Sequence, residues 1–123
     1  MKKFLKVRRN FDSAHYLNNY DGKCANLHGH TWFIESLFEV LGVHENGISE
    51  DFKKVKAAID MALPDHAFLN EVYKDNPTAE NLSEILFKEI DSRMSWSKNL
   101  KLKSVNLYEG PGSSIICERG EGE

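Results

Sequence analysis

Three histidines and one cysteine fall within the sixteen residues from His15 to His30, as His15 and then Cys24-Ala25-Asn26-Leu27-His28-Gly29-His30. His28 and His30 are two apart, so on a β-strand both side chains leave from one face and can reach the same ion. Neutral imidazole is a preferred zinc ligand, and a catalytic zinc takes three protein ligands and keeps a fourth position for water or substrate. His15, His28 and His30 are the candidate set. Histidines near a turn are more often ordinary polar surface residues, but this spacing favours a metal site.

Cys24 admits three readings. It could complete a closed structural site of one cysteine and three histidines. It could stand beside an open site, where a nearby cation favours the thiolate that acts as base or nucleophile. It could also be buried as a small inert hydrophobe, although Asp21, Gly22 and Lys23 argue for an exposed turn. Two further groups carry chemistry: Asp65-His66, directly after Pro64, and Glu109. Loop capping explains an Asp-His pair as readily as chemistry does. A carboxylate at a strand end is usually surface, but beside a pocket it could grip a guanidine-like edge through two parallel hydrogen bonds.

These residues need elements to hold them. From Leu5 the odd positions Leu5, Val7, Phe11, Ser13 and His15 lie on one face of a strand that ends at the first ligand. A second strand starts at the ligand pair and continues His28, His30, Trp32, Ile34, Ser36, Phe38 on one face, with Phe33, Leu37 and Leu41 on the other. Both faces are largely apolar, so the second face is expected to pack on another layer or another subunit. Trp32 reads as core. Gly42 to Gly47 reads as a loop in which His44 is solvated surface.

Asp51 is the expected N-cap of a helix with Phe52, Val55, Ile59, Ala62 and Leu63 along one side and its end at Pro64. A second helix follows Thr78, with Leu82, Ile85, Leu86, Ile90 and Met94 on one side. Leu100 to Glu109 and Ser114 to Glu118 read as strands joined by a hairpin at Gly110-Pro111-Gly112-Ser113, with Cys117 as strand core. The expected architecture is α+β in the order ββααββ: one four-stranded antiparallel sheet with both helices on one face. Residues 1–119 form a single domain and residues 120–123 a frayed tail.

Composition narrows the function. The chain has 123 residues, 16 basic and 19 acidic, and a formal charge of −3, so no basic field announces nucleic acid or membrane, and a small-molecule target is expected. Lys2, Lys3, Lys6, Arg8 and Arg9 are interrupted by Phe4, Leu5 and Val7, which fits an edge strand with a charged face, not a signal peptide. Two cysteines separated by most of the chain point to the reducing cytoplasm instead of a disulfide scaffold.

Six groups of residues resemble one family in order and spacing: Phe11-Asp12-Ser13-Ala14-His15, Cys24-x3-His28-Gly29-His30, Asp51-Phe52, Asp65-His66-x2-Leu69-Asn70, Pro77-Thr78-x-Glu80-Asn81, and Glu109. Together they look like the 6-pyruvoyltetrahydropterin synthase superfamily. The three-residue gap between Cys24 and His28 most resembles the 6-carboxytetrahydropterin synthases of queuosine and deazapurine biosynthesis. The resemblance implies a tunnelling fold, in which sheets of three subunits close into a barrel and two trimers stack as a homohexamer with sites at subunit interfaces. It implies zinc on His15, His28 and His30, Cys24 as base, Asp65 and His66 as its relay partners, and Glu109 as anchor of the pterin's amino-pyrimidine edge.

The implied substrate is 7,8-dihydroneopterin triphosphate, converted to 6-carboxytetrahydropterin, acetaldehyde and triphosphate. The alternatives are a pyruvoyl product, an aldolase-type cleavage of dihydroneopterin, or a non-catalytic zinc-stabilised module with Cys24 as fourth ligand. Arg8, Arg9, Lys23 and Lys53 are the triphosphate candidates by charge. The chain departs from the family in three places: Gly110-Pro111-Gly112 follows Glu109 where threonine is common, the next strand lacks the usual aromatic, and Ser49-Glu50 precede Asp51 in place of apolar residues.

Overall fold

A computed structural model describes residues 1–123. Strand β1 (Phe4–His15) is followed by a single 3-10 turn (Lys23–Ala25) and by β2 (His28–Val40). Helix α1 (Phe52–Ala62), the two-residue strand β3 (Ala67–Phe68) and the one-turn helix α2 (Leu69–Val72) lead to α3 (Ala79–Arg93). Strands β4 (Leu100–Gly110) and β5 (Ser113–Glu118) close the chain. No helix is long and apolar enough to cross a membrane.

The sheet has five strands in the order β3-β1-β2-β4-β5, one more than the periodicity predicts. The additional strand, β3, pairs parallel to β1 through Ser13 and Ala14 alone, so the sheet is not wholly antiparallel. Two residues are too few to leave an alternation in the sequence. The same limit hid α2, a single turn of four residues. Because β3 covers only the last part of β1, the basic N-terminal part of that strand remains an edge, as its lysines and arginines suggest.

Alternation decides which face is core. Leu5, Val7, Phe11, Trp32, Ile34, Phe38, Leu102, Val105 and Leu107 are all buried beneath the helices. Helix α1 adds Val55, Ile59 and Ala62, and α3 adds Leu82, Leu86, Phe87 and Ile90. Arg9 clamps α1 to β1, its Nε and Nη2 donating to the two carboxylate oxygens of Asp60 at 2.7 and 2.6 Å. Phe52 departs from the expected stripe: it opens α1 and is 61% exposed. The opposite sheet face is half-covered at best. There Arg8 lies over the rings of Phe33 and Tyr108, at 4.6 and 5.5 Å, and no helix of this chain packs on them.

The caps are those the sequence indicates. Asp51 accepts a hydrogen bond from Lys53 N at 2.9 Å, and Thr78 accepts one from Asn81 N at 3.1 Å. Thr78→Ala removes an acceptor for an end-of-helix amide and is expected to cost about 1 kcal/mol of unfolding free energy. Urea denaturation of the variant and the parent measures the difference, and coincident transitions would show that the cap is idle.

The loop before α1 also has an account. Glu50 accepts from the Ser97 hydroxyl and sits 3.2 Å from His44 Nε2, which in turn meets Asn99 Nδ2 at 3.3 Å. The Ser97 bond, ahead of other causes, holds the Glu50 carboxyl below the usual carboxylate range. His44 is thus a brace of its loop as well as a solvated side chain, and Glu50, the polar departure before Asp51, has partners for both oxygens.

Candidate metal centre and its surroundings

The β1–β2 register builds the histidine trio. His15 and His28 are directly opposite one another, and Ser13 faces His30, so the three imidazoles form one cross-strand pair and its diagonal neighbour. Ring centroids are 4.6 Å apart for His15–His28, 4.6 Å for His28–His30 and 5.3 Å for His15–His30. Trp32 forms the floor, with its ring edge-on to His15 and His30 at 5.1 and 5.4 Å and stacked on Phe11 at 5.9 Å. The trio therefore stands at the end of the apolar core.

Backbone carbonyls set the tautomers. His15 Nδ1 lies 2.7 Å from the Pro77 carbonyl and His28 Nδ1 lies 2.6 Å from the Asn26 carbonyl. A carbonyl oxygen only accepts, so each Nδ1 carries the proton, and the Nε2 of each neutral ring presents a lone pair. His30 Nε2 is buried without a hydrogen bond of acceptable geometry. Burial, outweighing the neighbouring Glu109 charge, pushes the His30 imidazole below the usual histidine range, which favours the neutral form a metal requires. Glu109 completes the group, and one donor atom from each of His15, His28, His30 and Glu109 lies within 4.8 Å of every other. Nitrogen-rich donors with outer hydrogen bonds that fix their tautomers fit a divalent metal such as zinc.

The trio is carried on a stitched frame. Asn70 Oδ1 accepts from Tyr16 N at 2.9 Å, and its Nδ2 donates to Tyr16 O at 3.0 Å. Asn76 does the same for Asn18, at 2.9 and 3.2 Å. These two amides hold the segment after His15 against α2 and against the loop before α3, which also supplies the Pro77 carbonyl. Cys24 rides on the next turn, where its carbonyl accepts from Leu17 N at 2.9 Å. Its thiol is half-buried and is not one of the clustered donors. Glu109, not sulfur, occupies the place beside the imidazoles.

Asp65 and His66 form a second group with Asp12. Asp65 Oδ2 sits 3.0 Å from His66 Nδ1, while its Oδ1 accepts from Asp12 N at 2.9 Å. The Asp12 amide, more than any other cause, holds the Asp65 carboxyl below its ordinary value. One carboxylate therefore both ties the loop to β1 and orients an imidazole. His66 has φ of 54°, a left-handed conformation rare outside glycine, and its amide donates to Asp12 O at 2.6 Å. Its side chain is 80% exposed. His66 and His30 border one open depression together with Asp12 and Thr31. Asp12 escaped notice in the sequence because strand alternation turns it away from His15. Its only signal is its place inside Phe11-Asp12-Ser13-Ala14-His15.

The fold and this site define a pterin synthase-type enzyme. The chain belongs to the 6-pyruvoyl tetrahydropterin synthase family, whose model matches residues 4–120. Relatives named 6-carboxy-5,6,7,8-tetrahydropterin synthase include that of Haemophilus influenzae, 28% identical over 90% of this chain and 94% of its own length. That of Rickettsia bellii is 28% identical over 88% and 94%. The 6-pyruvoyl tetrahydropterin synthase of Caenorhabditis elegans shares the fold, with a TM-score of 0.83, 24% identity and coverage of 98% of this chain and 97% of that one. The chain is accordingly a lyase-type enzyme.

Proposed function

We propose that this protein is a zinc-dependent 6-carboxy-5,6,7,8-tetrahydropterin synthase that takes 7,8-dihydroneopterin triphosphate and water to 6-carboxytetrahydropterin, acetaldehyde and triphosphate. The observation that carries the reading is the convergence of three imidazoles, two of which, His15 and His28, have outer hydrogen bonds that leave their Nε2 atoms to a metal, while the third, His30, has its Nε2 buried without a hydrogen-bond partner. The names of the similar curated proteins favour the carboxy product.

His15, His28 and His30 would hold the ion, which supplies Lewis-acid stabilisation of negative charge developing on side-chain oxygens of the substrate. Cys24, as thiolate, abstracts a proton from the substrate side chain. His66, oriented through Nδ1 by Asp65, returns protons from its Nε2 on the open side of the depression it shares with His30. Glu109 accepts the donors of the amino-pyrimidine edge. Triphosphate then leaves by elimination.

Two of the four basic candidates for the triphosphate are already engaged. Arg9 is paired with Asp60 and Arg8 with Glu35 at 3.4 Å. Lys23, next to Cys24, and Lys53 have no ion-pair partner and remain available. The bare outer sheet face around Phe33 and Tyr108 supports a homohexameric barrel, which would cover it with other subunits. Placement in the cytoplasm and supply of product to deazapurine synthesis complete the reading.

The test is incubation with 7,8-dihydroneopterin triphosphate, with and without a chelator, and identification of products by mass spectrometry. Acetaldehyde with 6-carboxytetrahydropterin, lost on chelation and restored by zinc, is the expected result. A pyruvoyl product without acetaldehyde would replace the carboxy reading, and undiminished turnover in chelator would remove the metal from it.

A further inference from the structure

Glu109 is the acceptor least easily explained by the role just given to it. Its Oε1 lies 3.1 Å from His15 Nε2 and 2.9 Å from His30 Nε2, so it points into the imidazole trio and not outward to a ring-shaped ligand. The register shows why. Tyr108 pairs with Ser114 and Gly110 with Ser113, which leaves Glu109 as the unpaired extra residue of a β-bulge. Alternation puts Glu109 on the core side beyond Val105 and Leu107, and the bulge interrupts the β4–β5 ladder at its own position.

The chemistry of the contact points the same way. The Pro77 carbonyl fixes the proton of His15 on Nδ1, so in the neutral ring the atom that meets the carboxylate is a lone pair. His30 Nε2 meets the same oxygen at 2.9 Å without acceptable hydrogen-bond geometry, and it is buried without other partners. Acceptors do not converge unless a cation or a shared proton stands among them. A carboxylate oxygen is an accepted zinc donor, and three imidazoles plus one carboxylate make a four-coordinate set.

We propose that Glu109 is the fourth metal ligand of the substrate-free enzyme, and that the substrate's side-chain hydroxyls displace it onto the pterin edge. The proposal rests on reading the trio as a metal site. It gives one carboxylate two successive partners. At rest it occupies the slot that the chemistry needs vacant, and on substrate binding it exchanges one cation contact for two N–H donors. The exchange needs no proton transfer, because Glu109 is a carboxylate in both positions and the incoming hydroxyls are neutral donors to the ion. A Cβ added at Gly110 would meet nothing within 4 Å, so the residue after Glu109 is not packed in on that side.

Cobalt(II), whose visible absorption reports coordination number and donor type, tests this on the full-length metal-stripped protein. Glu109→Gln and Glu109→Ala should bind cobalt more weakly than the parent by about 10–100-fold, the range lost when even an outer partner of a ligand is removed. Their absorption bands should also shift. Adding 7,8-dihydroneopterin should change the parent's bands as the carboxylate leaves. If Glu109 were only a counter-charge to a protonated imidazole, its removal would ease proton competition and cobalt would bind equally or more tightly. That outcome, or unchanged bands with dihydroneopterin, overturns the proposal while leaving the histidine site intact. Absence of cobalt binding by the parent overturns both, and thermal melting of the metal-free variants shows whether each is folded.

Discussion

Exchanging His28 for alanine should empty the site of metal and abolish turnover while the chain stays folded. His28 is half-exposed, so its truncation opens no cavity in the core, and Trp32 and Phe11 beneath it keep their stacking. What is lost is one of three imidazole donors, together with the tautomer fixed by Asn26 O at 2.6 Å. Losing an outer partner already costs 10–100-fold in metal affinity, so losing the ligand should cost more than about 100-fold. Metal content after dialysis, read by atomic emission beside a far-ultraviolet circular dichroism spectrum, checks both halves of the statement. A variant that retains stoichiometric metal would place the ion elsewhere. His15→Ala makes a poorer test, because His15 is 1% exposed and its removal would also leave a hole next to Trp32.

Cys24→Ser should do the reverse. Its sulfur lies outside the clustered donors, so metal content should match the parent's, whereas kcat should drop by about 10²–10⁴, the contribution of a positioned acid or base. A serine hydroxyl retains the size of the thiol but holds its proton at neutral pH. The pair of variants therefore separates holding the ion from moving the proton: His28→Ala loses both metal and rate, Cys24→Ser only rate. Metal lost along with the thiol would restore the closed structural site that sequence alone leaves open.

The Glu109 variants belong to neither pattern. If the carboxylate is both resting ligand and pterin anchor, Glu109→Ala weakens cobalt binding and substrate binding together. If it serves only the pterin, the metal constant does not move.

Much of this was visible in the order of residues. Period-two alternation marks the core face of β1 and β2 and puts His28 and His30 on one side. Asp51 and Thr78 announce their helices by the acceptors they offer to the first-turn amides. The six groups of residues that carry the family resemblance span most of the chain, because candidate ligands and caps are local choices with local signatures. Other features were not legible. Strand β3 and helix α2 are too short to show a period. Asp12 lies on the face that alternation assigns to solvent, yet the loop after α1 returns to meet it, and so joins Asp12 to the Asp65-His66 pair.

What the sequence determined by itself was the inventory: three imidazoles, a thiol, an Asp-His pair and a strand-end carboxylate, on elements whose type the hydrophobic period dictates. Tertiary structure decided which of them meet. The β1–β2 register brought His15 opposite His28, and the loop before α3 supplied the carbonyl that fixes the His15 tautomer. Alternation from Val105 and Leu107 carried Glu109 along the core face of β4 to the histidines, while Cys24, on a separate turn, stayed outside the group. Contacts between residues 94 positions apart, such as His15 with Glu109, depend on strand pairing, which is not encoded in the neighbourhood of either residue.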